Sequence, residues 1–78
     1  MNFKQISSPI PNFKIWNCSN GKYSFVITLG YKGYTASWKD RTIKVKQMAN
    51  RIDGSPFKTF NEAEIACQKI LKQLKMKN

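Results

Sequence analysis

Seventy-eight residues, 41% of them apolar and 13% aromatic, fit one small globular domain and are too hydrophobic for a disordered chain. The charge is the unusual quantity: 14 Lys and Arg against 4 Asp and Glu give +10, with a pI near 10.0. Together these figures exclude a multidomain enzyme, a membrane-spanning helical protein and a disulfide-dense toxin.

Residues 1–12 read as an extended N-terminal arm, because Ser7-Ser8-Pro9-Ile10-Pro11 is polar and broken by proline. No apolar run there has the length of a signal peptide, so the expected location is the cytoplasm. A single domain then occupies 13–78. Phe13 to Cys18 predicts a short strand, and Asn20-Gly21 is a strong hairpin signal because both residues tolerate positive φ. Tyr23 to Leu29 alternates at period two, Gly30-Tyr31-Lys32-Gly33 is a glycine-flanked turn, and Tyr34 to Trp38 alternates again. Lys39 to Thr42 is expected to turn, and Ile43 to Lys46 forms a fourth alternating segment.

Pairing these segments through their turns tests the reading. A loop at Asn20-Gly21 sets Cys18 opposite Tyr23 and Trp16 opposite Phe25. A turn at 30–33 sets Leu29 opposite Tyr34, Ile27 opposite Ala36 and Phe25 opposite Trp38. A turn at 39–42 sets Trp38 opposite Ile43 and Ala36 opposite Val45. All three hairpins place the same apolar set on one face, and a one-residue slip at any turn would have flipped its strand.

Residues 49–58 contain Asp53-Gly54 and Pro56 and read as a crossing loop with room for one short edge strand. A helix follows. Thr59 with Glu62, or Asn61 with Glu64, matches a capping box, and Ala63, Ala66, Cys67, Ile70, Leu71 and Leu74 share one stripe at helical spacing. The expected fold is therefore α+β, a four-stranded antiparallel meander packed on one C-terminal helix.

Two surfaces remain for function. The sheet face away from the helix should carry Ile15, Asn17, Ser24, Val26, Thr28, Thr35, Ser37, Lys44 and Lys46. It is either a solvated face, which antiparallel sheets commonly have, or a docking plane on which Ile15 and Val26 are apolar anchors. Second, Lys32, Lys39, Arg41, Lys44 and Lys46 against Asp40 leave +4 within fifteen residues. Tyr31 stands at the tip of the turn among them. Tyr31, Lys32, Lys39, Arg41, Lys44 and Lys46 are the candidate binding residues, since phosphates select cations and an unstacked base selects an exposed ring. The helical lysines Lys69, Lys72, Lys75 and Lys77 instead complement the helix dipole, with Glu62 and Glu64 at its start.

Nothing in the chain reads as catalytic. There is no His to activate Cys67, Glu62 and Glu64 point to different sides of a helix, and the GYKG turn lacks the spacing of a phosphate loop. No cofactor and no metal are expected, and Cys18 and Cys67 read as buried free thiols, with a bridge as the alternative. The expected partner is a nucleic acid or a nucleoprotein complex, or a second copy docked through the open sheet face; no membrane is involved.

Phe57-Lys58-Thr59-Phe60-Asn61-Glu62-Ala63 resembles the F-x-T-x-x-E-A step opening the helix in AP2-type and integrase arm-type DNA-binding domains. The resemblance covers residues 22–74 in outline and implies duplex binding through the sheet face opposite the helix. Where those families carry arginines and tryptophans, this chain offers Ser24, Thr28, Thr35, Ser37, Lys44 and Lys46, which implies backbone contact in place of base readout. The order of a Trp strand (Trp16), a hairpin at Gly21-Lys22-Tyr23, the strand Gly33 to Ser37 and that terminal helix is also similar to small phage and prophage accessory proteins. This second resemblance implies a non-catalytic inhibitor acting by occupancy, of the anti-CRISPR kind, with a CRISPR effector as one target.

Overall fold

The computed structural model describes residues 1–43 and 48–76. Alternating apolar and polar residues build an antiparallel sheet of five strands in simple chain order: β1 (Lys4–Ile6), β2 (Lys14–Asn20), β3 (Tyr23–Gly30), β4 (Gly33–Asp40) and β5 (Asn50–Arg51). One helix, α1 (Phe60–Met76), covers one face. The expected α+β architecture is thus present, with the N-terminal arm contributing the edge strand β1.

The β3–β4 register is the expected one, with Phe25 opposite Trp38, Ile27 opposite Ala36 and Leu29 opposite Tyr34. At β2–β3 the structure corrects the pairing. Trp16 faces Ile27, Cys18 faces Phe25 and Asn20 faces Tyr23, so the loop is Gly21-Lys22 and not Asn20-Gly21. Gly21 has φ +61 and Asn20 does not leave the extended region; glycine at the first central position is what a type II′ turn requires. Because the shift is two residues, every side chain keeps its expected face.

A further correction concerns the far end of β4. Lys39 and Asp40 are not in a turn; they extend the strand, with Asp40 opposite Tyr23 and Lys39 opposite Ser24. Trp38 does not pair with Ile43. Its partner is Asn50, and Ser37 pairs with Arg51. Of the expected fourth strand from Ile43 to Lys46, Ile43 lies in no strand, and Lys44 to Lys46, with the Ala36–Val45 pair, lie outside the described residues. Beyond β5 the chain keeps to the β4 edge: the Ile52 amide donates to the Ala36 carbonyl at 2.9 Å, and Tyr34 and Phe57 exchange backbone hydrogen bonds of 2.8 and 2.7 Å.

Helix α1 starts at the first of the two candidate caps. The Thr59 hydroxyl accepts from the Glu62 amide at 3.1 Å, and a Glu62 carboxylate oxygen accepts from the Lys58 amide at 3.2 Å, satisfying otherwise orphaned donors. Ala63, Cys67 and Leu71 are buried against Phe25, Ile27, Ala36 and Ile52, while Ala66, Ile70 and Leu74 pack at the margin. Phe60 closes one end of this layer. Its ring centroid lies 5.0 Å from Trp16, 5.7 Å from Phe3 and 6.0 Å from Tyr34, so Phe3, just before β1, is also tied to the helix side. With this face filled, the other face of the sheet carries no helix.

Candidate functional site

Cross-strand partners point to the same side, so the register defines the uncovered face row by row. One row runs Lys4, Asn17, Val26, Ser37, Arg51 across all five strands. The next row toward the β3–β4 turn is Ile6, Ile15, Thr28, Thr35. On the other side lies Ser19, Ser24, Lys39. None of these rows contains a carboxylate. Five strands at a spacing of ~4.8 Å put Lys4 and Arg51 roughly 19 Å apart at the two edges.

The sequence-based candidates are only partly brought together. Tyr31 and Lys32 sit in the β3–β4 turn, whereas Lys39 and Arg41 sit at the opposite end of that hairpin, roughly 23 Å away at ~3.3 Å per residue. Lys39 points to the uncovered face. Arg41 is clipped to the β2–β3 turn, its amide donating to the Lys22 carbonyl at 2.6 Å and its guanidinium to the Gly21 carbonyl at 3.3 Å. Lys22 therefore joins Arg41 at this end, its Nζ 5.4 Å from the Tyr23 ring centre. Lys44 and Lys46 lie outside the described residues.

Asp40, beside Arg41, faces the helix side. The Thr42 hydroxyl donates to its carboxylate at 2.6 Å and the Thr42 amide at 2.9 Å. These bonds, helped by the nearby Lys22 charge, hold the Asp40 carboxyl below its ordinary range, so it stays ionised near neutrality.

The residues of this face that escape the sequence reading include Lys4, Phe13 and Arg51. The sequence places Lys4 in an extended arm and Arg51 in a crossing loop with room for a short edge strand. The Arg51 guanidinium donates to the Ser55 carbonyl, which lays it along the β5 edge. Phe13 is placed by a turn over Ile10 to Phe13, where the Phe13 amide donates to the Ile10 carbonyl at 3.2 Å and Asn12 adopts φ +70. Proline followed by Asn at positive φ is the signature of a type II turn, so Pro11-Asn12 was the signal available.

Among the described residues no three His, Cys, Asp or Glu side chains gather into a metal-binding group. No described helix is long and apolar enough to cross a membrane. No known family, no curated protein and no solved structure matches this chain. The fold and the face define a class: a small α+β protein presenting one cationic, carboxylate-free sheet surface.

Proposed function

We propose that this chain is a non-catalytic binding protein whose open sheet face grips the phosphate backbone of a nucleic acid or of a nucleoprotein effector. The observation that carries this reading is the register itself, which sets Lys4, Lys39 and Arg51 on one face with no carboxylate among them. Small hydroxyls (Ser19, Ser24, Thr28, Thr35, Ser37) lie between these cations, beside Asn17, Val26, Ile6 and Ile15, and can donate hydrogen bonds to the backbone of a polyanion. In its concrete form the proposal is a phage-type inhibitor of the anti-CRISPR kind, working by occupancy.

A titration of affinity against salt tests it. Binding of a labelled oligonucleotide should weaken linearly in log–log form, with a slope of about −0.9 per duplex phosphate neutralised and about −0.7 on a single strand. Lys4→Glu with Lys39→Glu should weaken binding and flatten that slope while the circular dichroism spectrum is unchanged. Failure of both duplex and single-stranded probes to bind at low salt would reject the reading and leave a protein target. A stand-alone DNA-binding module of the AP2 or integrase-arm type would instead discriminate among duplex sequences, and lysine, a point charge without a planar fork, is poorly suited to that.

A further inference from the structure

The uncovered face is divided along its length. At the β3–β4 end the Phe13 ring lies over Gly30, 3.2 Å from where a β-carbon on that glycine would stand. Gly30, with no side chain of its own, therefore leaves a flat place for that ring. Tyr31 meets Phe13 edge-on, with centroids 5.3 Å apart at 85°, and is 88% exposed. Ile6, 43% exposed, and Ile15 form the row beside this pair. Lys32 neighbours Tyr31 in the turn; among the strand residues of this face the cations begin one row further on, with Lys4 and Arg51, and continue to Lys39. Rows two residues apart are spaced ~6.7 Å, so rings and outermost cation are separated by roughly 20 Å along the strands.

A duplex offers phosphates to the cationic end but hides its base faces, so it gives the aromatic end nothing to stack on. A single strand offers both at once. Resting on the phosphate-binding reading above, we infer that the ligand is single-stranded nucleic acid. Its backbone crosses Lys4, Lys39 and Arg51, and an unpaired base stacks on Tyr31 beside Phe13. Charge complementarity selects a polyanion, and the exposed ring selects one with free base faces. The contact is sequence-tolerant, because every base has a π-face.

The test compares fluorescence anisotropy of an oligothymidylate of roughly a dozen nucleotides with that of a duplex of equal length, at one salt concentration. The single strand should bind more tightly. Tyr31→Ala should weaken single-strand binding roughly 5- to 100-fold, leave duplex binding unchanged, and be rescued by Tyr31→Phe. Tyr31 is exposed at a turn tip, so its truncation does not threaten the fold. Equal affinity for both probes, or an unaffected Tyr31→Ala variant, would overturn the single-strand inference while the phosphate-binding reading stands. Absence of binding to either probe would remove both.

Discussion

Cys67 has no solvent exposure and Cys18 only 6%, and both thiols are free. Burial, with smaller contributions from the neighbouring Cys18 and Glu64, pushes the Cys67 thiol up to about 12 from an ordinary 9.0. A thiol with that environment is a small apolar filler and not a nucleophile. The raised value also has a sign for stability. Above pH 9.0 the unfolded chain gives up the Cys67 proton while the folded one keeps it, so stability is fully present below that pH and falls as pH rises toward about 12. Urea midpoints measured from pH 8 to 11 should therefore fall more steeply in the native chain than in Cys67→Ala. Parallel curves would show that burial does not hold the proton.

At the level of elements, the glycines of the two hairpin turns are unequal. Gly21 has φ +61 with open space around it, whereas Gly33 has φ +127 and a β-carbon there would stand 2.5 Å from the Phe57 carbonyl oxygen. Gly21→Ala should cost about 1 kcal/mol, from the left-handed conformation alone. Gly33→Ala should cost at least ~2 kcal/mol, because it adds a clash that parts β4 from Phe57. Chemical denaturation of the two variants checks the order, and equal losses would contradict the close approach. The same elements show what was legible in the sequence. Face assignment was, since Phe25, Ile27 and Ala36 alternate at period two. The β2–β3 loop differs from the expected one by one residue at each side, because Asn20-Gly21 and Gly21-Lys22 preserve identical faces and both give Gly21 a positive φ; only Asn20 staying in the strand separates them. The partner of β4 was not legible either. Ile43 to Lys46 alternates well, but Asn50-Arg51 is too short and polar to announce a strand.

For the molecule as a whole, the +10 charge resolves into separate uses. The helical Lys75 lies in the last turn of α1 and Glu62 in the first, where each complements the helix dipole. Lys4, Lys39 and Arg51 share the uncovered face. Only Lys39 of these three was recognisable as a candidate, because the other two depend on β1 and β5 docking at opposite edges, a long-range outcome that no local pattern encodes. Tyr31 was recognisable as exposed, but its partner Phe13 required the Pro11-Asn12 turn to fold back over Gly30.

The two edge strands have a different consequence. β1 is three residues long and β5 two, so neither edge offers another chain more than a few unpaired amides and carbonyls. Each carries a cation, Lys4 or Arg51, and charge on a short edge discourages strands of other molecules from adding to the sheet. The same pair of residues thereby guards against self-association. Lys4→Val with Arg51→Val should leave the monomer folded but raise light scattering on concentration, with oligomers growing edge to edge; a double variant that stays monodisperse would show that strand length alone protects the sheet. Loss of either cation to gain or relax ligand contact thus carries a solubility cost, and the positions at which this surface can change most freely lie inward, at Asn17, Val26 and Ser37.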